Sequence, residues 1–143
     1  MQPLYDYRLA SGWNVALASM TNIETLLLAV VPLRRLPPVS LLDRYPQRAT
    51  LLSGRTFGDG PARLEWRWGV LPMAALRRIQ DTYLSGSVVS AQVTVYTRDP
   101  DAGATSYVRA NAYLTRPQPG TDYDMRQNRA LDLTLRFVID SFL

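Results

Sequence analysis

The chain contains no cysteine, no histidine and no lysine. Without cysteine there is neither a disulfide nor a thiolate nucleophile. Without histidine the commonest general base and the commonest metal ligand are gone, and with them a Ser–His–Asp triad, a Cys–His dyad and a standard zinc site. Without lysine there is no Schiff-base amine and no phosphate-loop ammonium. Only carboxylates, tyrosine, serine and arginine remain for chemistry. The chain is therefore expected not to be an enzyme, with no catalytic, cofactor-binding or metal-binding residue assigned. Long hydrophobic runs are missing too. The most apolar stretch, Ile23 to Leu36, is interrupted by Glu24, Pro32, Arg34 and Arg35. A bilayer span needs about 20 apolar residues, so no membrane contact is expected. The start, MQPLYDYRLA, shows no basic-then-apolar leader, and the expectation is a soluble protein made in the cytoplasm.

What is present is a chain of 143 residues, 47% apolar, with 16 arginines against 12 acidic residues and a net charge of +4. That length suits a single domain with a real core. The arginines are scattered, with pairs at Arg34-Arg35 and Arg77-Arg78 but no basic stripe. Solvated charge explains that distribution better than a nucleic-acid footprint.

Periodicity is clearest from Arg63 to Leu84. Leu64, Trp66, Trp68 and Val70 alternate with Arg63, Glu65 and Arg67, which predicts a strand with one apolar and one charged face. Leu71-Pro72 is expected to break the strand. Met73, Leu76, Ile79 and Tyr83 then recur at helical spacing. Three more alternating runs follow. Val89 to Val95 and Val108 to Leu114 are joined by Arg98-Asp99-Pro100-Asp101-Ala102-Gly103. After a polar loop over 116–129, Leu131, Leu133, Leu135, Phe137 and Ile139 alternate with Asp132, Thr134, Arg136 and Asp140. Four strands around one helix predict a one-sided sheet, apolar inward and polar outward.

The first half reads less clearly. Tyr5, Tyr7, Leu9 and then Trp13, Val15, Leu17 alternate about Ser11-Gly12, predicting a hairpin or two short strands. Ile23 to Val31 fits either a helix capped at Thr21-Asn22 or a buried strand, ended by Pro32. From Pro32 to Pro61 prolines and leucines punctuate a run without regular signal, and a structureless loop of about 30 residues is unusual in a compact domain. The favoured expectation is an arm over 32–61 that packs on a neighbouring subunit through Leu33, Leu36, Leu41, Leu42, Leu51 and Leu52. The other is a loop pinned to its own domain, with a short helix near Leu41–Tyr45. GRTFGDG, 54–60, reads as a turn, since neither the Walker lysine nor the Rossmann glycine spacing is met.

Among possible sites, Asp99 with Asp101 and Asp122 with Asp124 lie in turn-rich loops, where Asp usually bonds local backbone. Trp66 and Trp68 share the face of Leu64 and Val70 and read as core rather than as a stacking platform. Trp13 could sit at an interface. Tyr96, Tyr107 and Tyr113 stand on otherwise polar faces, fitting either a subunit contact or cross-strand pairing.

The run GRTFGDGPARLEWRWGVL, the helix PMAALRRIQDTYL, the strand pair with its short acidic loop, RPQPGTDY and the closing LDLTLRFVI together resemble structural proteins of bacteriophage tails, especially tail tube proteins. The resemblance covers roughly the C-terminal two thirds. It implies a mainly β fold with one flanking α-helix: a β-sandwich or half-barrel, with 62–143 as a strand–helix–three-strand core. It also implies homo-oligomeric rings, commonly hexameric, whose strands join around a channel while loops and arms bridge stacked rings. The partners would be further copies and other tail proteins such as the tape measure and the terminator. DNA would pass in non-specific transit, and the location would be the virion tail. The expected channel wall is the polar faces, Arg63, Glu65, Arg67, Asp132, Thr134 and Arg136, with Glu65 and Asp132 offsetting the arginines. A net basic chain departs from the acidic lumens of that family. The alternatives are a tail terminator, completion or distal-tail adaptor protein and, from another class, a small nucleic-acid-binding β-module.

Overall fold

The computed structural model describes residues 5–102 and 106–143. In chain order the strands are β1 (Arg8–Ser11), β2 (Thr21–Asn22), β3 (Val39–Asp43), β4 (Gln47–Thr50), β5 (Thr56–Asp59), β6 (Arg63–Pro72), β7 (Ser90–Arg98), β8 (Tyr107–Thr115), β9 (Asp124–Arg126) and β10 (Arg129–Phe142). The helices are α1 (Ile23–Leu28) and α2 (Met73–Tyr83). One antiparallel sheet runs β2-β1-β7-β8-β10-β6-β3 and curls into a half-barrel, so the fold is mainly β. β9 pairs with the start of β10, on the side that β8 takes further along. β4 and β5 form a separate two-stranded hairpin.

The alternation along β6 does what period two requires. Leu64, Trp66 and Trp68 are buried, with Arg63 and Arg67 exposed and Glu65 half-buried between them. Both tryptophans are core, and each indole N–H finds an acceptor. Trp66 Nε1 donates to Thr97 Oγ1 at 3.1 Å and Trp68 Nε1 to the Leu36 carbonyl at 2.8 Å. α2 lays Ala75, Leu76, Ile79 and Tyr83 onto this face, while α1 adds Ile23, Leu26 and Leu27. Ile23–Leu28 resolves as helix because Asn22 caps it, its side chain accepting from the N–H groups of Glu24 and Thr25. Tyr7 and Leu9 join the same core, so it draws on residues well before Arg63.

Several expectations are corrected. Leu71-Pro72 does not break β6, which pairs through Pro72 with Arg129. The alternation instead changes phase. Val70 is 44% exposed and Leu71 fully buried, while across the ladder Ala130 and Leu133 are buried and Leu131 is only half so. Asp132 lies between them with φ 53°, opposite Gly69, where the otherwise continuous pairing skips. A left-handed residue inside a strand turns the following side chains to the other face. Val70 and Leu131 thereby leave the core face they were expected to share with the tryptophans.

Trp13, Val15 and Leu17 form no strand. Asn14 takes φ 57° and the segment bonds side chains of the sheet instead. The polar loop contains a strand, β9, closed onto β10 by Gln127 and Asn128 at φ 48° and 62°, the backbone of a type I′ turn. The 32–61 run is also largely regular, with β3, β4 and β5 and no helix near Leu41. The first half of GRTFGDG turns the chain, and its second half is β5.

Two predictions follow from the packing. Burial pushes the Tyr83 hydroxyl up to about 12, and it donates to the Leu9 carbonyl at 3.2 Å. An unfolded tyrosine ionises near 10 while this one stays neutral, so the contribution is intact below pH 10 and lost as pH rises towards 12. Chemical denaturation should show stability falling by about 2–3 kcal/mol across that window, and Tyr83→Phe should flatten the fall. At Asp132, Gly should be tolerated or stabilising, whereas Val should cost about 1–2 kcal/mol in urea melts because of its positive φ.

Candidate functional site

The six residues expected on a channel wall share the sheet face turned away from the helices. Register sets Arg67 opposite Thr134 and Glu65 opposite Arg136, with Arg63 opposite Val138. Arg63, Arg67, Asp132 and Arg136 are exposed, and Glu65 and Thr134 half-buried. Glu65 bridges two cations: one oxygen pairs with Arg67 and the other with Arg136 Nη1 at 2.7 Å. Arg136 Nε also reaches Asp122 Oδ1 at 3.0 Å. Its guanidinium is held above its ordinary pKa chiefly by that Asp122 hydrogen bond, with Glu65 adding to it. The charge in the middle of this face is thus balanced by Glu65 and Asp122. Asp132, expected to share that task, takes part in none of the ion pairs found.

The two loop carboxylates are organisers of structure. Asp122 is 8% exposed and accepts from the Gln118 N–H at 2.8 Å as well as from Arg136. Asp99 is 1% exposed, accepts from the Asp101 N–H at 3.1 Å, and is paired with Arg44. Both make the local backbone bonds expected of Asp in turns, and both also hold an arginine from a distant segment.

Arg44 and Asp99 belong to a seam. Curling brings β3, at one edge of the sheet, to the end of β7, four strands away in the pairing order. The seam is joined by side chains rather than by a strand ladder. Ser40 Oγ lies 2.5 Å from Thr97 Oγ1, which also accepts from Trp66. Arg44 pairs with Asp99 and lays its guanidinium 4.1 Å from the centre of the Phe142 ring. An open cleft of about 550 Å³ runs beside β3, lined by Leu41, Leu42, Pro46 and Pro100 with Arg63 and Glu65 on its wall.

Arg44 stands at the root of the β4–β5 hairpin, which divides the six leucines proposed for the arm. Leu36 and Leu42 are 7% and 8% exposed and belong to the chain's own core. They cannot serve a neighbour, because Leu36 and its carbonyl close over Trp68. Leu33, Leu41, Leu51 and Leu52 are exposed, Leu52 completely. Leu51 and Leu52 form the hairpin tip, where the Leu51 N–H bonds the Arg55 carbonyl at 2.7 Å. At the hairpin base the Tyr45 ring lies over Gly58, where any β-carbon would strike it.

Over β7 and β8 the outward face is not free. Residues 12–16 cross it as a strap. The Asn14 N–H donates to Asn111 Oδ1 at 2.9 Å, and the Asn111 amide returns a bond to Asn14 Oδ1 at 3.1 Å. Arg109 Nη1 holds the Val15 carbonyl at 2.6 Å. Trp13 meets Tyr113 edge-on at 5.2 Å and Tyr96 stacks on Tyr107 at 5.1 Å. The outward tyrosines therefore have partners within the chain.

Three functional candidates escaped the sequence reading. Arg44 is one. The others are Arg126 and Arg129, which face each other across the β9–β10 turn. The signal was Asn128, a residue that tolerates positive φ, just before the last alternating run. Among the described residues no group of three or more acidic side chains is placed to hold a metal ion, and no helix is long and apolar enough to cross a membrane. No protein-family model matches the chain, and neither the curated proteins nor the solved structures compared with it give a match.

The seam yields a direct test. Thr97→Val keeps the shape but strands the buried Trp66 N–H, and should cost about 1–3 kcal/mol in urea unfolding. Asp99→Asn should cost at least as much by removing the nearest counter-charge of the Arg44 guanidinium and leaving only the more distant Asp101 at 3.8 Å. A change below about 0.5 kcal/mol in both would show that the seam is not under load.

Proposed function

We propose that this chain is a structural protomer of a bacteriophage tail, most specifically of the tail tube, acting by assembly rather than catalysis. The observation that carries the reading is the β4–β5 hairpin. An isolated two-stranded hairpin is marginal in water. None of its described side chains is buried, and its tip exposes Leu51 and Leu52. Such a segment makes sense when a neighbouring copy covers it. The edge strand β3 supports the same reading, because its backbone pairs on one side only and its outward Val39 and Leu41 are 62% and 45% exposed. Unprotected edges of this kind invite pairing with another chain. The balanced charge around Glu65 suits a wall that DNA passes without being read. In this reading the partners are further copies in rings, the tape measure and the terminator, and the location is the virion tail.

The arm is narrower in this proposal than the 32–61 segment. Removing 36–50 would delete β3 and the core leucines Leu36 and Leu42, and would unfold the protein. The apt variant is Leu51→Ser with Leu52→Ser. It should melt within about 2 °C of wild type, since both side chains are exposed. Negative-stain microscopy should show tubes from wild type and none from the double variant. Wild-type-length tubes from the variant would sink the role of the hairpin. Single rings from wild type would select the terminator or adaptor reading, and monomers at every concentration would end the assembly reading.

A further inference from the structure

We infer that Arg126 and Arg129 form a phosphate-contact site for DNA on the channel face, an inference that rests on the tube reading. The two residues are direct partners in the β9–β10 ladder, and both are exposed. Like charges set directly opposite on neighbouring strands repel. Among the described residues no carboxylate forms an ion pair with either. Asp124 stands two positions from Arg126 on the same face and is opposite Leu131, yet it makes no ion pair with either arginine. The arginines instead flank an open cleft of about 500 Å³ with Gln127 and Leu131. The contrast with Arg67 and Arg136, both neutralised by Glu65 or Asp122, is direct.

The phase change at Asp132 decides which way this pair points. Outward positions on β10 are 134, 136 and 138, but beyond Asp132 they become 131 and 129, with Ala130 buried. Arg129, and Arg126 opposite it, are thereby brought to the sheet face that carries Arg63, Glu65 and Arg67. Arg129 pairs with Pro72 and Val138 with Arg63, nine residues apart along β6, so the two ends of the face are about 30 Å apart. Among the described residues Arg63 stands exposed without an ion pair at one end of this face, and Arg126 with Arg129 set two such charges side by side at the other, while the centre is balanced. Two adjacent guanidiniums with an amide side chain beside them suit the oxygens of a phosphodiester backbone. Such a contact is independent of sequence and sensitive to salt.

The test is fluorescence anisotropy of a labelled DNA duplex of about 20 base pairs, titrated with the full chain across a salt series. Wild type is compared with Arg126→Gln/Arg129→Gln and with Arg67→Gln. The double variant should fold and assemble as wild type, checked by thermal melting and microscopy. It should lose about tenfold in affinity at low salt and reduce the salt slope by about 2, while Arg67→Gln changes affinity by about twofold or less. Equal affinity and slope for wild type and the double variant would overturn the inference, as would no binding by wild type at low salt. A double variant that keeps DNA but loses polyglutamate would reassign the pair to an acidic protein, and so overturn it too. If wild type forms no tubes, the tube reading fails on its own evidence while the anisotropy still decides the arginine pair.

Discussion

The architecture depends on a seam made of side chains. A sheet in the order β2-β1-β7-β8-β10-β6-β3 has two edges, and twist alone curls them towards each other without joining them. Here Thr97 and Asp99, at the end of β7, receive three groups from the far side of the sheet: the Ser40 hydroxyl of β3, the Trp66 indole of β6 and the Arg44 guanidinium. Thr97 and Asp99 are each 1% exposed, so these bonds form where water cannot substitute for them. Buried polar groups of that kind contribute modestly when paired and cost heavily when one partner is removed. The seam thus fixes one curvature for the sheet, and α1 and α2 can fill a core of defined width.

That curvature sets the two ends of the molecule apart. At one end, β3 runs out of the seam into Arg44, which is locked between Asp99 and the Phe142 ring, and the chain then leaves as the β4–β5 hairpin. A rigid root beneath the hairpin presents it in a fixed direction at little entropic cost on binding. At the other end, the left-handed Asp132 reverses the faces of β6 and β10 and delivers the β9–β10 turn to the outward side. Between the two ends the outward face is electrically balanced by Glu65 and Asp122. Both candidate interaction elements are therefore consequences of how one sheet is bent.

Much of this was legible in the sequence where periodicity governs. The tryptophan strand as far as Trp68, the α2 stripe of Leu76, Ile79 and Tyr83, and the closing strand from Leu133 to Ile139 pack as their spacing dictates, because burial on one face is what the spacing encodes. The six residues expected on a channel wall likewise lie on the outward face of the sheet. What stayed hidden depends on interactions that are not periodic. β3 is short and its Leu41 and Leu42 hide the alternation, and β4 and β5 are only four residues each. β9 has three residues. The face reversal hinges on a single φ at Asp132, and the strap over β7 and β8 on bonds between Asn14 and Asn111, 97 residues apart. Arg44 and Asp99 gave no sign of each other, since charge pairing across 55 positions leaves no local mark.

Hydrogen exchange resolved along the backbone tests the central claim, that the seam holds β3 to the core while the hairpin beyond it is completed by another copy. In the dissociated subunit the β3 amides bonded to β6 should exchange with the slow core, and the amides of β4 and β5 should exchange near the fast limit. On assembly the hairpin amides should become protected, with little change in the β3 amides already bonded to β6. Strong protection of the hairpin in the dissociated subunit, or none gained on assembly, would contradict the account.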